Sequence, residues 1–288
     1  MSVRVFAPAK INLTLKVGRP RADGLHPLES IVAFADVGDI VAAEAADDLT
    51  LHIHGDFADQ LAADDSNLVL RAARALAEAA GIPAHARLEL EKNLPVASGI
   101  GGGSADAAAT LTALNQLWEL GWSRAQLAQV GRPLGADVPV FFTGAGAAFM
   151  SGTGETCAPF ELAPLPAVLV NPLAPLPTPD VYRAFDRMHL GGAFSAAGAP
   201  RWRSHEDAVA AMRTLGNDLE APAIALMPAI GEIVTELRGS PSVRHAALSG
   251  SGATVFAVTR DWEAAEVLAD LARQRRPDCW VMEAMLGA

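Results

Sequence analysis

Apolar and polar residues alternate near the start of the chain. Ile11, Leu13, Leu15 and Val17 are separated by Asn12, Thr14 and Lys16, the period of a half-buried strand. A turn follows at Arg21, Ala22, Asp23 and Gly24. Residues 31–36, 39–45 and 49–54 read as further strands, the last with Leu49, Leu51 and Ile53 on one face. The period then lengthens. Ser66 or Asn67 caps a predicted helix that runs to Ala80 and is stopped by Gly81, Ile82 and Pro83. An alternating strand at 86–90 leads into a glycine-rich turn. Beyond it Ala107, Ala108, Leu111, Leu114, Leu117 and Trp118 recur at helical spacing, which predicts a helix over 104–120. Ser123 caps a shorter helix ending near Gly131, Arg132 and Pro133, and Pro139 argues against a central strand after Asp137.

Proline density rises through Pro159, Pro164, Pro166, Pro172, Pro175, Pro177 and Pro179. A domain boundary is expected within 148–166, dividing the chain into residues 1–158 and 159–288. The second half reads as a strand at 167–171, helices near 180–188, 205–215 and 223–237, and a strand pair around Ser249, Gly250, Ser251 and Gly252. A helix at 261–275 and a strand at 280–285 complete it. This order suggests a small antiparallel sheet covered by helices on one face, an α+β layer.

Composition narrows the class. With 288 residues, 51% hydrophobic and 19% charged, the chain is long and apolar enough for two ordered domains. A net charge of −11 argues against a nucleic-acid partner, because a phosphate backbone needs a basic stripe. The stretch 138–154 is broken by Pro139 and several glycines, so no membrane span is predicted. The first ten residues are too polar for a signal peptide. Cys157 and Cys279 have no ligand-like spacing and are read as buried, reduced thiols of a cytoplasmic protein. The sequon Asn12-Leu13-Thr14 then has no meaning as a glycosylation site.

The chemistry is concentrated in the turn from Leu94 to Asp106. Four glycines in five positions, Gly99, Gly101, Gly102 and Gly103, leave backbone N–H groups accessible. The helix behind them points the positive end of its dipole at the turn, which makes an anion site, most commonly for phosphate. The familiar phosphate motifs do not fit. No lysine precedes Ser104 as a Walker loop requires, a Rossmann fingerprint lacks its third glycine, and the protein-kinase triplets are absent. No G-x-S-x-G elbow surrounds Ser104, which tells against a serine hydrolase.

Phosphoryl transfer to an alcohol needs positioned phosphates, charge stabilisation and an oriented hydroxyl. Four further segments could contribute. Lys10 leads into the first strand, where an exposed lysine is ordinary but a cation beside a reacting hydroxyl is the alternative. Asp137 follows Gly135 and Ala136 and precedes Val138-Pro139, as a turn former or as a rigidly held carboxylate. His26 lies in a loop, as a surface residue or as a hydrogen-bonding partner of a base edge or phosphate. The Ser249–Gly252 stretch is a tight turn or a close backbone approach between strands, with equal weight.

Taken together, Pro8-Ala9-Lys10-Ile11-Asn12-Leu13, the glycine loop and Ser249-Gly250-Ser251-Gly252-Ala253-Thr254 resemble the three motifs of the GHMP small-molecule kinases. The stretches 21–26, 36–39 and 135–141 carry a narrower resemblance. It is to the branch of that family that phosphorylates a cytidylated methylerythritol in non-mevalonate isoprenoid synthesis. The resemblance implies an α+β, two-domain fold: an N-terminal α/β domain with a β-rich start and a C-terminal ferredoxin-like layer, with the active site in the cleft between them.

It further implies that ATP lies with its phosphates on Pro95, Val96, Ala97, Ser98, Gly99, Ile100, Gly101, Gly102, Gly103, Ser104 and Ala105. Asn67 and Lys92 are implied in the nucleotide pocket, and Ser104 as a contact for Mg²⁺. Asp137 matches the family's catalytic carboxylate and Lys10 its catalytic cation. His26, Leu25, Tyr182, Asn12, Thr178 and Asp180 are implied to hold the substrate. Ser249, Gly250, Ser251 and Gly252 form a turn near the phosphates. In this family two aromatic rings bracket the cytosine. One falls on Tyr182, the chain's single tyrosine, and the other on Leu25, which cannot stack. Ile100 and Ala105 also depart from common family residues without removing an amide. The partners implied are small molecules alone, in a monomer or weak homodimer. Another GHMP kinase, for mevalonate, homoserine or a sugar, and a nucleotide-binding regulator that has lost catalysis stand as alternatives. The presence of Lys10 and Asp137 tells against the last.

Overall fold

The computed structural model describes residues 2–192 and 198–288. Their contacts gather into two compact units. One takes in Met1–Ala9, Gly38–Val96 and Gly101–Gly144; the other takes in Lys10–Val37, Ala97–Ile100 and Ala145–Ala288. Neither is one run of chain, because strands β1 (Ser2–Val17) and β2 (Leu28–Glu44) are long enough to contribute residues to both. This grouping differs from a single cut after residue 158. The proline-rich stretch expected to hold the boundary contains β5 (Ala147–Ser151) and β6 (Thr156–Phe160), which pair with each other, and β5 also pairs with Ser30–Ala33 of β2. Composition registers proline content; strand pairing decides membership.

In the first unit the second half of β2 pairs antiparallel with β4 (Arg87–Glu91), and β3 (Thr50–His54) runs parallel to β4. The two short strands expected over 31–45 are one continuous strand. Gly38 does not break β2; a Cβ there would stand 2.3 Å from the Ala7 carbonyl oxygen, so the glycine marks a close approach of β1. Helix α1 (Leu68–Ala80) starts on Asn67, whose Oδ1 accepts the Val69 N–H at 2.9 Å, and stops at Gly81 in the left-handed conformation. α2 (Gly102–Leu117) is rich in alanine, so α1 can lie close along it. α3 (Arg124–Gly131) starts with a capping box between Ser123 and Gln126, and Pro139 sits in a 3-10 turn, Val138–Phe142, rather than in a strand. Leu76, Leu88, Leu90, Leu111 and Leu114 are fully buried at the centre of this unit.

In the second unit β10 (Trp280–Leu286) pairs with β7 (Leu165–Asn171), β7 with β9 (Val255–Thr259), and β9 with β8 (Val243–Leu248), all antiparallel. Leu286 also meets Ala35 of β2. Around these strands lie α4 (Thr178–Arg187), α5 (His205–Leu215), α6 (Glu220–Leu226), α7 (Pro228–Arg238) and α8 (Trp262–Arg275). The single helix expected over 223–237 is therefore two. Pro228 has no N–H to continue α6 and restricts Met227, whose backbone is extended at φ −137°. Asn12 and Thr14, expected on an exposed face of β1, are 5% and 2% exposed. They are buried because they are satisfied: Asn12 Nδ2 donates to Ser30 Oγ at 2.8 Å, and Thr14 Oγ1 accepts the Ile31 N–H at 3.1 Å. Cys157 and Cys279 form no disulfide and are half-buried rather than buried.

Candidate active site

The glycine loop is built as its composition requires. Gly99 and Gly101 have φ of +76° and +68°, and Gly101 is the N-cap of α2, so the helix starts at Gly102, two residues before its expected start. No side chain caps it. The amides of its first turn have no intrahelical partner by geometry, and Gly103 is exposed. Ala97 also has a positive φ, +52°, and is exposed, whereas Pro95, Ser98, Ile100, Gly102 and Ala105 are buried. Within the first unit, Leu68 Cδ1 would lie 3.3 Å from a Cβ on Gly103, so the Asn67 cap is brought to the start of α2. Asn67 itself is 9% exposed, with Nδ2 donating to the Ala62 carbonyl at 2.9 Å. Asp137 immediately precedes the 3-10 turn. A Cβ on neighbouring Gly135 would stand 3.6 Å from Ser104 Oγ, which places this segment beside the start of α2.

In the second unit the Ser249–Gly252 turn closes on residues 98–100. A Cβ on Gly99 would come within 2.4 Å of the Gly252 carbonyl oxygen. Ser249 Oγ donates to the Gly99 carbonyl at 3.2 Å and accepts the Asn12 N–H at 3.1 Å. Thr254 donates to the Ser98 carbonyl through both its N–H (3.1 Å) and its Oγ1 (2.7 Å), and Asn171 Nδ2 donates to that Oγ1 at 2.8 Å. The stretch is a tight turn, with the Gly252 N–H donating to the Ser249 carbonyl at 3.0 Å, and its close backbone approach is to the glycine loop rather than between two strands. Lys10 is 4% exposed; its N–H donates to the Ile100 carbonyl at 2.8 Å and its Nζ to Asn12 Oδ1 at 3.1 Å. Thr178 Oγ1 and Ser251 Oγ share a hydrogen bond of 2.8 Å, which ties the start of α4 to the same turn.

His26 is turned inward. Its Nδ1 donates to the Gly18 carbonyl at 2.9 Å, which fixes the ring, and Nε2 faces Asp186 Oδ2 at 3.6 Å. Its ring lies 5.0 Å from Tyr182, tilted by 44°, and 5.7 Å from Phe185, edge-on. Leu25 next to it is 53% exposed. Asp180 pairs with Arg183 on the outer face of α4. Phe185 and Asp186 were not singled out by sequence; their only signal is the spacing of three and four residues from Tyr182 on one helix.

Lys92, implied by resemblance in the nucleotide pocket, lies in a buried ion cluster whose carboxylates the sequence reading did not single out. Lys92 Nζ lies 2.6 Å from Asp39 Oδ2 and 2.8 Å from Asp106 Oδ2, all three side chains being at most 4% exposed. Asp39 Oδ1 accepts the N–H groups of Asn93 at 2.6 Å and Leu94 at 2.8 Å. Burial pushes the Asp106 carboxyl up to about 8 despite the Lys92 ammonium. Burial alone would lower Lys92, but the two carboxylates outweigh it and raise it. The Lys92 ammonium is thus engaged within the fold rather than presented at the surface.

Among the described residues no group of three His, Cys, Asp or Glu side chains could hold a metal alone, and no helix is long and apolar enough to cross a membrane. A hydroxyl at a phosphate-binding helix start suits Mg²⁺, which is usually held through one or two protein oxygens together with phosphates and waters.

Comparison with known proteins agrees with this layout. Residues 67–145 match the model of the GHMP kinases N terminal domain, and residues 193–276 that of the GHMP kinases C terminal. A 4-diphosphocytidyl-2-C-methyl-D-erythritol kinase of Cereibacter sphaeroides is 46% identical over 98% of both chains. One of Caulobacter vibrioides is 43% identical over the whole of both. A crystal structure of 4-(cytidine 5'-diphospho)-2C-methyl-D-erythritol kinase, 33% identical, superposes with a TM-score of 0.78 over 99% of both chains. A homoserine kinase of Cytophaga hutchinsonii, 18% identical with a TM-score of 0.71, shares the fold. The uncapped helix behind the glycine loop, the turn closed on that loop and the likeness along the whole chain lead to one conclusion: the chain belongs to the GHMP kinases, ATP-dependent small-molecule kinases, in their 4-diphosphocytidyl-2-C-methyl-D-erythritol kinase family.

Proposed function

We propose that this kinase transfers the γ-phosphoryl group of ATP to the 2-hydroxyl of 4-diphosphocytidyl-2-C-methyl-D-erythritol. The likeness to kinases of that name over nearly the full chain carries the reading. The amides of Gly101 to Ser104 and the α2 dipole receive the phosphates. Asn67 lines the nucleotide pocket, and Ser104 with phosphate oxygens holds Mg²⁺. Bound there, the metal would neutralise charge on the phosphates.

Asp137 takes the proton of the 2-hydroxyl. Lys10 is the cation that favours the alkoxide as it forms, and orientation of the hydroxyl matters more here than basicity. Asn12, oriented by its bonds to Ser30 and Lys10, and Thr178, bonded to Ser251, face the alcohol part of the substrate. Tyr182 stacks on the cytosine from one side. His26, its ring fixed by the Gly18 carbonyl, sets the base edge, and Leu25 closes the other face by apolar contact. Two half-buried cysteines outside any disulfide accord with a protein of the reducing cytoplasm, acting as a monomer or weak homodimer.

A substrate screen with coupled ADP detection tests the reading. Turnover of the cytidylated alcohol, and none of mevalonate, homoserine or galactose, is the expected outcome. Turnover of one of these without the cytidylated alcohol would overturn it.

A further inference from the structure

We propose that Lys92 is a positioning residue for the phosphate loop: clamped by Asp39 and Asp106, it fixes the first turn of α2 so that its amides are aimed before a triphosphate arrives. The inference rests on the reading of that loop as the phosphate site.

The three side chains come from three elements. Asp39 lies on β2, Lys92 just beyond β4, and Asp106 in the second turn of α2. Asp39 is the fixed point, because it also receives the amides of Asn93 and Leu94 at the entrance to the loop. Lys92 reaches from it to the helix. The contact is close: a Cβ on Gly102, the first residue of α2, would stand 3.2 Å from Lys92 Nζ and 3.7 Å from Asp39 Oδ2. The ammonium therefore lies directly behind the first turn, on the side that faces the core.

Stability alone is a poor reason for this cluster. Buried ion pairs are often no better than apolar packing of the same volume. Here the second oxygen of Asp106, Oδ1, is buried without a hydrogen-bond partner among the described residues. The helix contacts of α2 are otherwise apolar: Val69, Ala72, Ala73 and Leu76 of α1, and Leu127 of α3, share one hydrophobic core with Ala105, Leu111 and Leu114 of α2. A rigid polar anchor in an alanine-rich, easily shifted helix contact suits a device that sets position. Lysine suits it because its ammonium can bond both carboxylates at once.

Calorimetric titration of the full chain with ATP in the presence of Mg²⁺, and separately with adenosine, separates the phosphate contribution from that of the base. Wild type is expected to bind ATP more tightly than adenosine. In Lys92→Met, ATP affinity is expected to fall by at least about tenfold while adenosine changes by less than about threefold. Gly102→Ala is a better helix former and pushes a methyl group at the ammonium. It is expected to weaken ATP alone without lowering Tm, and it carries the comparison if Lys92→Met fails to fold. Leu111→Ala, a core truncation in the same unit, is expected to lower Tm and leave the ATP-to-adenosine ratio unchanged. Unchanged ATP binding in the first two variants, or equal weakening of both ligands, overturns the positioning role alone. Wild type that binds ATP no better than adenosine refutes the phosphate site and the positioning role with it.

Discussion

Gly99 and Gly252 approach so closely that no side chain fits between them: a Cβ on Gly99 would lie 2.4 Å from the Gly252 carbonyl oxygen, and Gly99 has φ +76°. Two widely separated glycine motifs are thus one structural feature. Gly99→Ala should therefore disturb both. Left-handed backbone costs an alanine roughly 1 kcal/mol or more, and the clash adds to it. Gly24, at φ +80° with nothing within 4 Å of its Cβ position, isolates the backbone cost. Thermal melts and kcat/KM of the two alanine variants should show a mild loss of Tm at Gly24 and a loss of both Tm and activity at Gly99.

Asp137→Asn and Lys10→Met should fold and lose activity by about 10²–10⁴-fold in kcat, the usual contribution of a positioned acid–base group. Steady-state kinetics beside a circular dichroism spectrum checks this. Unchanged activity in both variants would remove the roles assigned to them.

In the proposed cytosine site, Leu25 leaves one face without a ring. Being 53% exposed, it has room for a larger side chain. Leu25→Tyr should gain an aromatic contact of about 1 kcal/mol, lowering KM for the cytidylated substrate by about fivefold with KM for ATP unchanged. Initial rates at varied concentrations of each substrate read the two apart.

The Asn67 side chain is both helix cap and proposed nucleotide contact, and substitution can separate the two. Asn67→Ser keeps a capping oxygen for the Val69 N–H and removes the amide. Stability should change by about 0.5 kcal/mol or less while KM for ATP rises; Asn67→Ala should lose about 1 kcal/mol as well. Denaturant melts beside ATP kinetics distinguish the variants.

His245 predicts a pH dependence of stability. Burial, and then the cations of Arg238 and Arg213, push its imidazole down to about 4, and its Nε2 is buried without a partner among the described residues. The folded chain holds the ring neutral. That contribution is complete above the ordinary value of about 6.5 and is lost as pH falls through 4. Over that window wild type should lose on the order of 2 kcal/mol more than His245→Phe, read from urea melts at each pH.

What the chain determines locally was legible in its sequence. Asn67, Gly81, Ser123 and Asp261 marked helix ends because a cap needs only its neighbours. The glycine loop announced a turn running into a helix, because left-handed glycines before a helix start act over a few residues. Other features depend on partners far along the chain. Gly38 reads as a break until β1 lies against it, Asn12 as exposed until Ser30 and Ser249 meet it, and Lys92 shows nothing of its ion pairs until Asp39 and Asp106 enclose it. The membership of residues 10–37 in the second unit belongs to the same class. Periodicity reports which face of an element is apolar; which strand, carboxylate or carbonyl arrives there is decided only when long-range pairing closes.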